Sequence, residues 1–340
     1  MAMQYTQLGN SGTLVSRICL GAMTFGGAGS AGWETIGALG AADVDRLVGH
    51  ALDAGVNFFD TADMYAAGES EQLLGRALGG RRDEVVLATK AHGRMGPGAN
   101  DVGQSRVHLM RALEGSLRRL GTDTVDLYQV HSFDPLTPLE ETLRTLDDMV
   151  RQGKVRYVGC SNYAAWQLAR ALGVSALHGL ERYVSLQAHY SLVGRDLEHE
   201  LLPLIEDERL GLLVWSPLSS GFLSGKYTRE TSDAEGRFAQ SEFLPIDRER
   251  GYDVIEALIP IAERHEVSAA QVALAWLLAK PAVTSVIVGA RRLGQLTDNL
   301  GAVDVELSAE ELETLDAAGR PGPFYPNWLQ AQNAGQRRPG

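Results

Sequence analysis

VVLAT at 85–89, an amphipathic stretch at 104–120 and VDLYQV at 125–130 follow one another near the middle of the chain. The two short runs are mostly apolar and β-branched, as expected for parallel strands that are covered on both faces. The stretch between them repeats its apolar residues at helical spacing, which predicts a helix with one apolar stripe. A strand, a helix and a second strand in this order predict a βαβ unit, and therefore a parallel sheet.

The same alternation continues along the rest of the chain. Further strand-like runs lie at 18–20, 56–59, 155–159, 183–187, 212–215 and 285–288. Helical patterns lie at 43–54, 70–78, 138–150, 164–172, 198–208, 254–263, 269–278, 293–300 and 309–318. This number of strand–helix units predicts an α/β fold of the (β/α)8 TIM barrel type rather than an open sheet.

The two ends of the chain depart from this rhythm. LGNSG at 8–12 has turn chemistry between two short strands, which predicts a β-hairpin at the barrel bottom. We expect residues 1–320 to form a single barrel domain. Residues 321–340 are rich in Pro, Gly, Asn and Gln, so we expect a C-terminal tail that is a loop or partly disordered.

Composition excludes several classes of partner. The net charge of -12 over 340 residues leaves no basic footprint for nucleic acid and disfavours anionic membranes. No apolar run approaches the roughly 20 residues that cross a bilayer, and no signal peptide is visible, so the cytoplasm is the expected location. Cys19 and Cys160 lie in apolar segments and are expected to be reduced and buried, and no cysteine or histidine spacing predicts a metal site. A small-molecule substrate is therefore expected, and a homo-oligomer remains open.

Polar groups follow the strand-like runs, where a parallel barrel gathers its functional side chains. They are Asp60, Lys90, His131, Ser161, Asn162, Gln187, Ser216 and the segment 289–291. Asp60, Lys90 and His131 follow neighbouring strands, and burying such groups is costly unless they pair. We therefore expect an Asp60–Lys90 salt bridge, which serves either chemistry or only the stability of the barrel mouth.

Tyr65 lies in the loop beyond Asp60 and is expected to lean over the same mouth. An ammonium group beside a phenol favours the phenolate and lowers the phenol pKa from about 10. Such a tyrosine donates a proton to a carbonyl oxygen or recovers one from an alcohol, and His131 is placed to hydrogen-bond that oxygen. Side chains supply no hydride, so a cofactor is implied.

One glycine-rich motif points to a different nucleotide site. GAGSAG at 27–32 matches the GxGxxG spacing of dinucleotide-binding loops. The residues after it do not have the pattern of a tightly packed phosphate-binding helix, so we interpret the motif as a flexible loop.

Four motifs in order resemble the aldo-keto reductase family, including its potassium-channel β-subunit-like branch. They are FFDTADMY at 58–65, GKVRYVGCSN at 153–162, WSPL at 215–218 and IVGAR at 287–291. The resemblance runs from about Tyr5 to Ala318. It implies a catalytic tetrad in which Tyr65 is the acid/base, Lys90 held by Asp60 tunes its pKa, and His131 orients the carbonyl.

The resemblance also implies NADP(H), bound in an extended form across the barrel mouth. Ser161, Asn162 and Gln187 would hold the carboxamide, and Trp215 would stack on the nicotinamide. The pyrophosphate would lie against Ser216, Leu218 and Gly221. Gly289, Arg291, Gln295 and Asn299 would hold the adenosine end, with Asp298 near the adenine.

Arg291 is expected to select NADP(H), because a guanidinium binds a 2′-phosphate in a bidentate manner. The alternative is a solvated cation at the start of a helix. The loop at 219–250, with Lys226, Gly236 and Arg237, would close over the pyrophosphate and slow cofactor release.

The expected substrate pocket consists of Phe25, Trp33, Met64, His92 and Phe133. The sequence thus predicts an NADPH-dependent oxidoreductase that reversibly reduces an aldehyde or ketone to an alcohol. Two alternatives are a non-catalytic NADP-binding regulatory subunit and a different barrel enzyme, such as a phosphosugar isomerase. The carbonyl or alcohol substrate itself is not specified.

Overall fold

A computed structural model describes residues 3–29, 33, 36–230, 238 and 243–334 of the chain. Eight parallel strands form a closed barrel, in which the last strand pairs with the first. The barrel strands are β3 (Ile18–Gly21), β4 (Phe58–Asp60), β5 (Val86–Ala91), β6 (Val125–Val130), β7 (Val155–Ser161), β8 (Tyr183–His189), β9 (Gly211–Trp215) and β10 (Val283–Val288). The predicted (β/α)8 barrel is confirmed.

An antiparallel hairpin, β1 (Tyr5–Gln7) and β2 (Leu14–Ser16), precedes the barrel. Leu8 and Val15 are fully buried and pack with residues that point into the barrel. A side chain at Gly9 would clash with the carbonyl oxygen of Val184 at the start of β8. The hairpin therefore closes the barrel at the amino-terminal ends of its strands, as the sequence predicts.

Helices follow the strands and cover the outside of the barrel. Their bounds are Ala41–Asp53, Glu69–Leu78, Arg106–Leu120, Leu139–Arg151, Ala165–His178, Leu201–Glu208, Arg248–His265, Ala269–Leu278, Leu293–Leu300, Ala309–Gly319 and Asn327–Ala334. Short 3-10 helices span Tyr65–Gly68, Gly79–Glu84, Asp196–Glu198, Ser219–Ser224 and Gly301–Asp304.

Two helices are longer than the sequence pattern predicts. Ala165–His178 continues past Gly173 because Ser175 is buried beyond it, and the helix ends at Gly179 in the left-handed region (φ 61°). Arg248–His265 begins six residues before the predicted 254, where the Asp247 side chain accepts a hydrogen bond from the Arg250 amide. Packing and capping outweigh the small helical cost of a glycine here.

The C-terminal tail contains a helix where a loop was expected. Asn327–Ala334 is held through His199, whose ring stacks on Phe324 at 4.5 Å and whose carbonyl accepts a hydrogen bond from Asn327 Nδ2 at 2.6 Å. These are tertiary contacts, which explains why composition alone did not predict the helix. Residues 335–340 lie outside the described residues.

The apolar core has two layers because alternate residues of each strand point to opposite faces. Cys19, Leu127 and Ile287 point into the barrel, whereas Leu20 and Tyr128 pack under the helices. Both Cys19 and Cys160 are fully buried free thiols, and burial raises the pKa of each. Among the described residues, no helix combines the length and apolarity that a bilayer span needs.

Candidate active site

A buried ion pair lies at the carboxyl ends of the barrel strands. Lys90 Nζ donates hydrogen bonds to Asp60 Oδ1 and, at 2.8 Å, to the Thr61 carbonyl. Asp60 Oδ2 accepts from Gln129 Nε2 at 3.1 Å and from Gln187 Nε2 at 2.9 Å. The expected salt bridge is therefore present, and both of its charges are hydrogen-bonded on several sides, as a buried pair requires.

Lys90 keeps its positive charge in this environment. Its side chain is fully buried, and burial alone would lower its pKa. The negative charge of Asp60 and a hydrogen bond with Tyr65 outweigh the burial and hold the pKa of Lys90 above its ordinary value. A fixed ammonium group therefore lies directly beside the phenol.

Tyr65 is half-buried at the barrel mouth. Lys90 Nζ lies 5.2 Å from the centroid of its ring, and the His131 ring lies 5.7 Å away at an interplanar angle of 74°. Ala66 and Ala67, which follow Tyr65, adopt left-handed φ values of 47° and 53°. Residues with a Cβ rarely adopt this conformation, so the turn that presents the phenol is strained.

His131 is a neutral imidazole at this site. Burial lowers the pKa of His131 to about 3, and the charge of Lys90 adds to the effect. Its backbone is fixed on both sides, because its N–H donates to the Ala91 carbonyl at 3.0 Å and its carbonyl accepts from Asn162 Nδ2 at 3.0 Å. The ring Nδ1 is buried without a hydrogen-bond partner. A neutral ring next to the phenol acts as a hydrogen-bonding group and not as a second cation.

The next strand ends carry the residues expected to hold a nicotinamide. Trp215 Nε1 donates to Asn162 Oδ1 at 3.1 Å, and Ser161 Oγ donates to the Gln187 carbonyl at 2.9 Å. These contacts link Trp215 to His131 through Asn162. Primary amides retain further donor and acceptor capacity beyond these contacts, so they remain suited to a carboxamide.

The segment after β9 forms a turn that contains several left-handed residues. Ser216, Ser219, Ser220 and Gly221 all adopt positive φ values, between 48° and 93°. The Ser219 and Gly221 amides donate within the turn, to the Ser216 and Leu218 carbonyls, both at 2.9 Å. A Cβ on Gly221 would meet open space, and Leu218 beside it is half-buried. Lys226 is exposed on the same segment, whereas Gly236 and Arg237 lie outside the described residues.

The expected adenosine end lies around the start of helix Leu293–Leu300. The Arg291 amide donates to Gln295 Oε1 at 2.9 Å, and Arg291 Nε donates to the Ile36 carbonyl at 3.2 Å. Gly289 is exposed, and Asn299 is buried. Asp298 Oδ2 accepts a hydrogen bond from Ser268 Oγ at 2.7 Å, so this carboxylate also supports the start of the neighbouring helix.

Of the residues expected to line a substrate pocket, Trp33 contacts the Tyr65 ring, whereas Phe133 contacts a different tyrosine. Trp33 lies edge-on at 6.1 Å from the Tyr65 ring, whereas Met64 is 36% exposed and lies against Gly93. His92 is half-buried, and Phe133 packs edge-on against Tyr163 at 5.3 Å.

Phe25 does not fit the expectation that it lines the pocket. Its side chain is fully buried in the core, and its backbone forms a bridge to Leu39.

In the GxGxxG-like segment, the Gly27 amide donates a hydrogen bond to Glu69 Oε2 at 2.7 Å, and the next helix starts only at Ala41. Gly27 therefore lies in a loop, and residues 30–32 of that motif lie outside the described residues.

Sequence reasoning missed two side chains that support the site. Gln129 precedes the end of β6 by one residue, so a search for the first polar group after each strand passes over it. His189 ends β8, and its ring lies 5.0 Å from that of Trp215. Burial lowers the pKa of His189 to about 4, and its Nε2 has no hydrogen-bond partner. A polar residue inside an apolar strand was the available indication for both.

A third missed residue is Asp63, a fully buried acid between Asp60 and Tyr65. Among the described residues, no side chain hydrogen-bonds to its carboxylate oxygens. Burial raises the pKa of Asp63 to about 7, and the charge of Glu71 adds to the effect. The Met64 amide and the charges of Arg119 and Lys90 lower the pKa of Asp63 but do not outweigh its burial, so the charged carboxylate is costly here.

Comparison with known proteins places this geometry in a family. The model of the Aldo/keto reductase family matches residues 17–320. The chain is 40% identical to the uncharacterized oxidoreductase YrpG of Bacillus subtilis (strain 168), over 92% of this chain and 95% of that protein. It is 39% identical to a probable voltage-gated potassium channel subunit beta of Oryza sativa subsp. japonica, over 93% and 96%. It is 33% identical to the versiconal hemiacetal acetate reductase of Aspergillus parasiticus, over 95% and 99%. The chain therefore belongs to the aldo/keto reductase family of oxidoreductases.

Proposed function

We propose that this chain reversibly reduces an aldehyde or ketone to an alcohol, with NADPH as hydride donor and Tyr65 as the proton donor. The observation that carries the proposal is the phenol of Tyr65 between the Lys90 ammonium and a neutral His131 ring. Lys90 stabilises the phenolate that remains after proton transfer, and Asp60 holds Lys90 in place. His131 hydrogen-bonds the substrate oxygen and turns it towards the phenol.

The chemistry balances with one cofactor and one proton. A bound NADPH, held at its nicotinamide by Asn162, Gln187 and Trp215, would supply the hydride to the carbonyl carbon and become NADP+. Tyr65 gives its proton to the carbonyl oxygen, and solvent returns a proton to the phenolate. In the reverse direction, the phenolate takes the alcohol proton, and Lys90 stabilises the same charged state.

The residues present fit this cofactor. Trp215 offers an aromatic face beside the tetrad, held by Asn162 and His189. The left-handed turn that ends at Gly221 would lie against the pyrophosphate, where a Cβ on Gly221 would meet only open space. Arg291 offers a guanidinium to a 2′-phosphate, which supports NADP(H) over NAD(H).

A non-catalytic regulatory subunit is a second candidate, favoured by the similarity to the potassium channel subunit of rice. Both candidates bind NADPH, so binding does not separate them. Turnover separates them: a wild-type chain that binds NADPH tightly but reduces no aldehyde or ketone favours the regulatory subunit.

The test compares Tyr65→Phe with the wild type on a panel of aromatic and aliphatic aldehydes and ketones. Cofactor absorbance measures turnover, and fluorescence quenching measures NADPH binding. We expect Tyr65→Phe to lose about 100-fold or more of the turnover while NADPH affinity stays nearly unchanged. Tyr325→Phe, in the exposed tail, is the matched control and is expected to behave as wild type. Equal losses of turnover and NADPH affinity in Tyr65→Phe would remove the acid/base role.

A further inference from the structure

The loop between β3 and the first helix contacts both ends of the proposed cofactor site. At its start, Thr24 Oγ1 donates to the Ala290 carbonyl at 3.1 Å, one residue before Arg291. Further along, the amide of Gly27 donates to Glu69 Oε2, in the helix that follows the Tyr65 turn. The loop therefore connects the adenosine end of the site with the catalytic end.

A continuous series of contacts runs from Arg291 to Tyr65 through this loop. Arg291 Nε donates to the Ile36 carbonyl at 3.2 Å. The Ile36 amide donates to the Trp33 carbonyl at 2.9 Å, and the Gly37 amide donates to the same carbonyl at 3.1 Å. The Trp33 indole then meets the Tyr65 ring edge-on at 6.1 Å. Arg291 therefore holds the Ile36 carbonyl, two hydrogen-bonded steps from the Trp33 ring, which also packs against Gly27.

A guanidinium can serve this carbonyl and a phosphate together. It carries five N–H donors in a rigid planar fork, and Nε points in a different direction from the two terminal nitrogens. A phosphate held by the fork fixes the plane of the group, and the direction of Nε with it. The Ile36 carbonyl and a 2′-phosphate would therefore reinforce each other at Arg291.

We propose that the 2′-phosphate of the cofactor fixes Trp33 beside Tyr65 through Arg291 and Ile36, so that the phosphate and the carbonyl substrate bind cooperatively. This inference rests on the proposed function, because it uses Arg291 as the phosphate contact and Tyr65 as the acid. It gives the phosphate a role in substrate recognition in addition to its role in cofactor choice. Trp33 becomes a positioning residue for the substrate, and its position depends on which cofactor is bound.

The first test needs no turnover. The enzyme is labelled with fluorotryptophan, and the resonance of Trp33 is assigned with Trp33→Phe. Saturating 2′,5′-ADP, which carries the 2′-phosphate but no nicotinamide, is expected to shift the Trp33 resonance, whereas 5′-AMP is expected to leave it in place. Trp328, in the tail helix, is the internal control and should not respond to either nucleotide.

Arg291→Lys makes this test sharper. Lysine keeps the positive charge for the phosphate but lacks the second nitrogen that holds the Ile36 carbonyl. We expect the variant to bind 2′,5′-ADP in calorimetry with at least half of the Trp33 shift lost. Arg320→Lys, an exposed arginine that pairs with Glu313, is the matched control and should keep the full shift.

The second test uses reciprocity, since coupling between two sites acts equally in both directions. Trp33→Ala should reduce the preference for 2′,5′-ADP over 5′-AMP by about five-fold, the lower end of typical couplings. Trp328→Ala should not change that preference.

The inference is overturned if the coupling is absent or if the phosphate site is absent, and the experiments distinguish these two cases. If 2′,5′-ADP binds but the Trp33 resonance does not move, or if Arg291→Lys keeps the full shift, the coupling is absent and the proposed function stands. If 2′,5′-ADP does not bind in calorimetry, the phosphate site itself is wrong, and the coupling falls with it.

Discussion

Lys90 shows how a fully buried charge is stabilised in this fold. A buried ammonium group costs several kcal/mol unless its donors and charge are matched. Here the Thr61 carbonyl and the Asp60 carboxylate meet that need, and Gln129 and Gln187 in turn hold the carboxylate. These hydrogen bonds fix the position of the Lys90 ammonium group, so its positive charge stays beside the Tyr65 ring.

Arg291 lies at the expected adenosine end of the site, and we predict that it determines the preference for NADPH over NADH. Arg291→Ala should weaken NADPH binding by about 10- to 100-fold, because hydrogen bonds to a charged group contribute about 1.5–3 kcal/mol. NADH lacks the phosphate, so its affinity should change far less. Fluorescence titration with both cofactors measures the two effects, and Arg320→Ala serves as the control. An unchanged preference for NADPH would remove Arg291 from the phosphate site.

The segment between β4 and helix Glu69–Leu78 is the element that presents the Tyr65 phenol. Glu71, in that helix, accepts hydrogen bonds from Thr89 Oγ1 and from Arg119 Nε, both at 2.6 Å. These bonds fix the far side of the strained turn at Ala66 and Ala67. The turn keeps its unfavourable backbone because both of its ends are tied to the barrel.

Asp63 lies within this segment and makes its stability depend on pH. The groups that face its carboxyl are Glu71, Arg119, Lys90 and Tyr128. The pKa of Asp63 is about 7 in the folded chain, against an ordinary value of 3.8. Between these values the folded chain holds a proton that the unfolded chain has lost. Stability therefore falls as the pH rises through this window, and the full penalty is present above pH 7.

Asp63→Asn should remove that pH dependence. The unfolding free energy of the variant, relative to wild type, should rise by about 2–3 kcal/mol between pH 5 and 8, at about 1.4 kcal/mol per pH unit of unequal protonation. Denaturant unfolding at several pH values measures this difference. Asp83→Asn, at an exposed aspartate, should show no such trend. A constant difference between Asp63→Asn and wild type would mean that Asp63 is ionised throughout.

The elements themselves were largely predictable, because apolar periodicity fixes which segments face the barrel. The boundaries of these elements were harder to predict. Strand β4 begins at Phe58 rather than at residue 56. The reason is that the Asn57 side chain contacts the hairpin, where it accepts a hydrogen bond from the Ser16 amide at 2.7 Å. The tail helix depends on His199, far away in the sequence. Asp63 was missed for the same reason, since only the folded chain shows which neighbours surround a buried polar group.

At the scale of the whole molecule, the hairpin and the buried Asp60–Lys90 ion pair lie at opposite ends of one barrel. The hairpin closes the amino-terminal end, and the polar side chains gather at the carboxyl ends of the strands. The loops at the mouth can therefore vary without disturbing the closed end, which is the usual division in such barrels.

Leu8→Ala tests this division. The side chain is fully buried among residues that point into the barrel, so the unfolding free energy should fall by about 2–5 kcal/mol. Turnover of the protein that remains folded should change little. Leu14→Ala, in the same hairpin but 54% exposed, should cost no more than about 0.5 kcal/mol. A loss of turnover in folded Leu8→Ala protein would show that the two ends are coupled.

The burial of both thiols has a practical consequence for experiments on this chain. Cys19 and Cys160 are inside, and their raised pKa keeps them in the unreactive thiol form. Maleimide dyes should therefore not label the folded protein. Phe243 is 69% exposed, and its ring lies 6.3 Å from that of Trp215. In a Phe243→Cys variant, a dye should therefore attach at this position alone and report on conformational changes or binding at the barrel mouth.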